Sequence, residues 1–543
     1  MVMSLAAVAG LSFKVMGCIE GTDGVWDGAV PYVMANPMAA PNVFAPRMRA
    51  VRLLGEEGMQ KVVAAQEPGG SGDIYEGLNE DQKQALKEAT SMGFPPKAWF
   101  DYPYMGDGAL MVLVPAVYQM FPTYFKDFWE KEGYEGADPE SNEARAHMKL
   151  VTTVEHLDYD YAEPELSEEE KNTVDTSWLN TILGGEKLPH IYLKDAIPAD
   201  TYTYHCRFKV LDGACAGKEI NISSIDGNML ELHPENDGKH ENPFKELKPG
   251  DQVMIDNGDA IAMQCFHRHQ LPDETYDVYD QFRNEDGSPK YTQLPMLVAP
   301  MTAISGAGLM PTGNIHGKVI GICSMMDESA CPWHGDWYRK AIGRCGIDEQ
   351  DHFRLYYHDN SIHDDRAGYL DDPQNQVDYL GTLHQALLDV AAWCEKGIEP
   401  FDTMNYTYAD GQITLPKGAK ERGGMQPVVS AVVENAAGQS DYDGKVTRAK
   451  VGENICFKAV IEVPPKAGKV THAAWDYEKT NDWSNDEVIE AVDDTTYKIE
   501  ADHVFTKPGI YYPVIKVASN RHGDAGDIFT QCKNLDRVKV IVE

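Results

Sequence analysis

The chain reads as a mixed α/β protein: a parallel sheet with helices on its faces, carrying a helical and a β insertion, with a β-sandwich after it. Two stretches carry this reading. Over residues 317–396 buried-strand runs alternate with helical periodicity, the pattern of a parallel sheet covered by helices. Over residues 427–543 short alternating strands are separated by turn residues, as in a sandwich. The 543 residues are several times the roughly 150 of a typical domain, so several domains are expected.

Composition narrows the classes. Hydrophobic residues make up 43% and charged residues 25%, ordinary globular usage that argues against disorder or a fibrous repeat. Asp and Glu total 86 against 48 Lys and Arg, a net charge of −38. Such a surface repels phosphate backbones and anionic lipid, so neither nucleic acid nor membrane is an expected partner. The acidity and the sandwich point towards export, while the compartment itself stays open.

The opening MVMSLAAVAGLSFKVMGC has no basic residue before its apolar stretch, and Lys14 interrupts the approach to Cys18. It therefore reads as part of the fold, not as a signal segment. An apolar helix over residues 3–11 and a buried strand over 13–19 are expected, running into the Gly-Thr-Asp-Gly turn. Residues 25–72, rich in Pro, Gly, Met and Ala, read as irregular wrapping structure. Asn79 with Gln82 signals a helix cap and Gly93 a helix stop, and Ser167 with Glu170 is a capping box for a second helix. Between them, residues 110–128 are apolar and aromatic, broken by Pro115 and Pro122. Residues 75–187 are thus expected to form a helical lid.

Strand alternation with Asp-Gly and Asn-Gly turns begins at 188 and predicts a β module over 188–270. The sheet resumes over 271–400. There KVIGICSMM and FRLYYHD are strands, DWYRKAIGRCG is a short helix, and 377–396 is an amphipathic helix stopped by Gly397. Residues 401–426 read as a linker and 427–543 as the sandwich. Ten cysteines occur without a C-x-x-C, so no zinc ribbon or thioredoxin-like motif is present. Cys206 with Cys215, and Cys456 with Cys532, each fall within one β module, where local disulfides and buried thiols are both open readings.

Functional groups of an open α/β sheet sit at the carboxyl ends of its strands. Asp327 follows the first of the two strands and His363 follows the second, with a helix between. That spacing sets an acid against a histidine in nucleophilic hydrolases, where the carboxylate orients an imidazole that takes a proton and then delivers it. Asp327 has a rival reading as a turn residue or the cap of the next helix, and His363 as a loop histidine held charged by Asp359, Asp364 and Asp365. Trp333 and Tyr338 are candidates for contacting a substrate, with core packing as the alternative. His267 and His269 would face the same way on a strand and so address a site, or else they are surface histidines. His334, Asp336, His358, Asp359, His363, Asp364 and Asp365 supply imidazole and carboxylate for a metal-dependent rival, but no H-E-x-x-H spacing is present. Phosphate-binding glycine motifs are missing too, and no cofactor or metal is expected.

These residues resemble the C-terminal half of the α/β-hydrolase fold. Residues 317–396 resemble its last two strands and helices, and residues 1–24 look like the helix and strand that follow the nucleophile elbow. Residues 1–74 and 271–400 would then be the two parts of the hydrolase core. Residues 427–543 resemble an immunoglobulin-like sandwich of PKD type, through Trp475-Asp476-Tyr477-Glu478, His503-Val504-Phe505 and Pro508-Gly509-Ile510-Tyr511. The resemblance implies hydrolysis of an ester or amide by a nucleophile-His-Asp triad containing Asp327 and His363. No G-x-S-x-G is present: Ser305 lies in Ala-Ile-Ser-Gly-Ala, and Ser71 follows no strand. The nucleophile is therefore expected upstream of the chain or on a partner chain that completes the sheet. A non-catalytic binding or assembly protein with a degenerate hydrolase core is the reading from another class.

Overall fold

Four short runs build the central sheet: Ser4–Ala7, Gly28–Pro31, Lys318–Ser324 and Phe353–His358. The computed structural model describes residues 4–7, 12–105, 108–111, 113–160, 187–199, 201–232, 242–363 and 374–543. The four strands lie side by side in chain order and every pairing is parallel. Gly28–Pro31 and Phe353–His358 are buried at every position, as strands covered on both faces must be.

Helix Leu380–Lys396 covers one face. A Cβ on Gly28 would lie 2.7 Å from Val390, and the Lys318 ammonium sits 4.3 Å from the centre of the Trp393 ring. Helix Trp333–Arg344 covers the other, since a Cβ on Gly335 would lie 2.6 Å from the Cys323 sulfur and 3.0 Å from Leu355. Lys318 and Cys323 are an odd number of residues apart on one strand, so their side chains point to opposite faces.

The beginning of the chain differs from expectation. The segment read as a helix holds the strand Ser4–Ala7, and the segment read as a strand is the helix Ser12–Gly21. A short apolar run has no periodicity to decide between the two, and parallel pairing from Ser4 opposite Gly28 to Ala7 opposite Pro31 decides it here. Gly17 lets that helix approach helix Val298–Ala307 closely, because a Cβ there would overlap the Ala307 carbonyl.

The expected irregular wrap over 25–72 instead contains the long helix Phe44–Gln66. Pro46 sits in its first turn, where a missing N–H is tolerated, and Gly55 kinks it with φ of 60°. Helix Glu80–Ser91 has the expected capping box of Asn79 and Gln82, and Gly93 follows it at φ +95°. The linker carries a small hairpin, Thr407–Ala409 with Gln412–Thr414, and helix Ala419–Arg422.

In the C-terminal region, strands Val428–Asn435, Asn454–Glu462 and Thr496–Val504 pair antiparallel, as do Lys469–Asp476, Val514–Asn520 and Cys532–Arg537. Their inward residues, among them Val433, Phe457, Trp475, Ile499, Ile515 and Val517, share one apolar core. All ten cysteines are free thiols, so neither local disulfide is present.

Residues 108–269 form a separate compact unit, the rest of the chain being the other. Residues 75–107, expected in the helical lid, thus fall in the other unit, and the helical and β parts of 108–269 belong together. Of its helices Gly108–Met111, Val114–Met120 and Tyr124–Glu130, the second has Pro115 in its first turn, and Pro122 falls between the second and third. A closed barrel follows, of strands Lys149–Asp158, His190–Leu193, Met229–Leu232, Glu219–Asp226, Arg207–Val210 and Gln252–Asp256 around. Lys149–Asp158 was illegible because only Thr152 and Val154 of its ten residues are buried, which leaves no alternation to read. Residues 258–265, read as strand, are the helix Gly258–Cys265. The capping box at Ser167 lies outside the described residues.

Candidate active site

The two adjacent strands Lys318–Ser324 and Phe353–His358 end side by side, and their following segments stay paired through Met325 N–H to the His358 carbonyl and Met326 N–H to the Ser361 carbonyl. This brings Asp327 and His363 together. His363 Nδ1 lies 2.8 Å from Asp327 Oδ1 and 3.0 Å from Oδ2. The carboxylate is fully buried, and Oδ1 also accepts the backbone N–H groups of Ser329 at 2.9 Å and Ala330 at 2.6 Å. Asp327 therefore closes the turn that follows its strand and lies against the imidazole, while the cap of the next helix is Pro332.

Three residues that sequence reasoning missed set this geometry. The Tyr379 hydroxyl donates to the His363 carbonyl at 3.0 Å, the His363 N–H donates to Glu328 Oε2 at 3.3 Å, and Arg47 Nη1 donates to the Glu328 carbonyl at 2.7 Å. Glu328 was legible as the neighbour of Asp327. Arg47 was not, since it comes from a helix 281 residues earlier in the chain. Burial, with the Asp327 charge second, pushes the thiols of Cys323 and Cys331 far up.

The other expected site residues fall elsewhere. Trp333 spends its indole N–H on the Met92 carbonyl at 3.0 Å and packs where a side chain on Gly93 would stand. Tyr338 donates to Glu20 at 2.7 Å, a carboxylate that also accepts from the Thr312 and Gly313 N–H groups. Both are at most 4% exposed, so their role is to tie the core together, not to face a ligand. His267 and His269 are neither on a strand nor on the surface. They lie in the 3-10 turn Phe266–His269 of the other unit, fully buried. His269 Nε2 is 3.2 Å from Glu135 and its ring is 4.7 Å from that of Tyr134. Burial opposes ionisation of Glu135, but the His269 hydrogen bond and the Arg268 charge outweigh it and hold the carboxyl at about 2.

The proposed metal ligands are dispersed as well. Asp336 accepts from the Tyr406 hydroxyl and pairs with Lys340, each at 2.7 Å, and Asp359 pairs with Arg422 at 3.2 Å. Burial drives His334 down to about 3 and His358 to about 4, so both are neutral interior imidazoles. Among the described residues no group of three His, Cys, Asp or Glu is placed to hold a metal; Asp364 and Asp365 lie outside them.

The segment expected to follow the nucleophile elbow is itself a strand leading into a helix. The linking residues Val8, Ala9, Gly10 and Leu11, outside the described residues, carry no hydroxyl or thiol. Ser12 follows directly, with Gly10 two residues before it, and is 1% exposed at the start of helix Ser12–Gly21. Ser305 lies exposed on helix Val298–Ala307 and Ser71 in an exposed loop.

No family model and no curated protein match the chain. Among solved structures it is similar to feruloyl esterase B from Aspergillus oryzae, at 10% identity and TM-score 0.19, over 74% of this chain and 62% of that one. It is also similar to an esterase from Aspergillus oryzae, at 11% identity and TM-score 0.18, over 74% and 61%. The chain thus spans about three fifths of the length of each. Likenesses this small leave the function to be argued from the residues of the chain itself.

Proposed function

We propose that this chain is an ester hydrolase of α/β-hydrolase type in which Asp327 positions His363 as the general base. The observation that carries this is the contact of Nδ1, at 2.8 and 3.0 Å, with a fully buried carboxylate at the ends of two adjacent parallel strands. With Nδ1–H donated to Asp327, Nε2 is the nitrogen that takes the proton of an attacking hydroxyl. The hydroxyl oxygen bonds to the ester carbonyl carbon, the resulting imidazolium protonates the leaving alcohol, and an acyl-enzyme remains. Water then repeats the sequence and releases the acid.

In such enzymes the nucleophile precedes the acid and the histidine in the chain and stands between a strand and a helix. Here that place falls over Val8 to Leu11, which carry no hydroxyl or thiol, and this reading takes Ser12, the first residue of the helix that follows, as the nucleophile of this chain. A fluorophosphonate probe tests this. Covalent labelling mapped to the Ser12 peptide, and abolished in His363→Ala, is the expected result; labelling that persists in His363→Ala removes the histidine from the mechanism. The second reading is a non-catalytic protein on a hydrolase core, with the PKD-like sandwich as its contact surface. It is favoured by the absence of a hydroxyl or thiol over Val8 to Leu11, and a protein that neither labels nor turns over supports it.

A further inference from the structure

A cavity of about 500 Å³ lies within the larger unit; Met326 lines it and its neighbour Asp327 does not. Its volume is that of a small-molecule site. Lys97, Lys417, Arg422, Lys445 and Arg537 line it, against Glu67, Asp359 and Asp536: five positive groups and three negative, two in excess. That sign is unusual on a chain whose net charge is −38.

The pairing concentrates the excess at one end. Arg537 is bound to Glu67 at 2.8 Å, and Lys445 pairs with Asp536. Asp359 is shared by Arg422 at 3.2 Å and Lys97 at 3.9 Å, and Lys417 has no ion pair among the described residues. Arg422 is built in, not a surface cation. It is 6% exposed and anchored through Nε to the Pro416 carbonyl at 3.0 Å and through Nη1 to Asp359, while its Nη2 has no hydrogen-bond partner among the described residues. Val63, Phe100 and Met326 supply an apolar wall to the same cavity.

We propose that this cavity binds a small organic dianion, its acidic groups on Lys97, Lys417 and Arg422 and its apolar body against Phe100 and Met326. A partly enclosed site makes each charge-assisted hydrogen bond stronger than it is at an open surface, and a planar guanidinium suits a carboxylate or phosphate. The proposal is independent of the catalytic reading, because binding is measured without turnover.

Isothermal titration calorimetry of the full chain with phthalate tests it, with phenyl phosphate alongside to separate a carboxylate from a phosphate ligand. The expected result is one-to-one binding of at least one of the two, weakened by added salt. Lys97→Ala with Lys417→Ala, both at exposed side chains that folding tolerates, should weaken that binding at least tenfold. Lys87→Ala, at an exposed residue that does not line the cavity, should leave it unchanged. No binding of either probe at millimolar concentration, affinity unaltered in the double variant, or equal binding of neutral dimethyl phthalate overturns the proposal.

Discussion

Replacing Asp327 by Asn perturbs the candidate site with the least change of shape. Oδ1 of the native carboxylate accepts two backbone N–H groups, at 2.9 and 2.6 Å, so the oxygen of an Asn amide is held at that position. Its NH2 then takes the place of Oδ2, 3.0 Å from His363 Nδ1, and donates where the carboxylate accepted. At Nδ1 this NH2 competes with the Asn oxygen, which stays 2.8 Å away and can still accept Nδ1–H; wherever the NH2 wins, the ring proton moves to Nε2 and Nε2 can no longer take a proton from a nucleophile. In Ser-His-Asp enzymes this inverted tautomer costs about 10⁴ in kcat, about 5 kcal/mol of barrier. The assay is kcat/KM on p-nitrophenyl esters together with the rate of fluorophosphonate labelling, with circular dichroism to confirm an unaltered fold. A loss smaller than tenfold in a protein that is active as wild type would refute the argument that Asp327 sets the tautomer of His363.

Three further outcomes are expected. Gly381→Ala should lower the melting temperature by several degrees, because a Cβ there overlaps the Gln531 carbonyl where helix Leu380–Lys396 meets the chain leading into strand Cys532–Arg537; such overpacking costs about 1–3 kcal/mol. Glu135→Ala should destabilise the unit of residues 108–269 by about 3–5 kcal/mol in urea unfolding, since it removes the carboxylate that the buried Arg268 and His269 share, and a change under 1 kcal/mol would contradict the pairing. Stability should fall as pH drops from 6.5 towards 4. His334 and His358 have folded values of about 3 and about 4, below their ordinary 6.5, so the unfolded chain binds more protons in that window. In His334→Phe the slope of the urea midpoint against pH should become shallower, and an unchanged slope would show that His334 is not responsible.

Much of the core was legible because it is local. The strand runs at 318–324 and 353–358, the glycine stop at Gly397 and the Asn79–Gln82 cap follow from apolar periodicity and capping chemistry within a few residues. The proximity of Asp327 to His363 was legible for a related reason: consecutive strands with a helix between them must lie parallel and adjacent, and this places the ends of both on one edge.

What tertiary structure alone decided has a common physical origin, namely partners far along the chain. Whether an apolar run becomes strand or helix was settled at residues 4–21 by pairing with Gly28–Pro31. Trp333 and Tyr338 look like site aromatics in sequence, yet their polar atoms belong to Met92 and Glu20, 241 and 318 residues away. His267 and His269 read as surface residues until Glu135, Tyr124 and Tyr134 close around His269 and burial takes both out of water. Periodicity records which faces of an element avoid water, whereas the identity of the partner that covers each face is set by long-range packing, and that is where the core, the buried ion pairs and the basic cavity were determined.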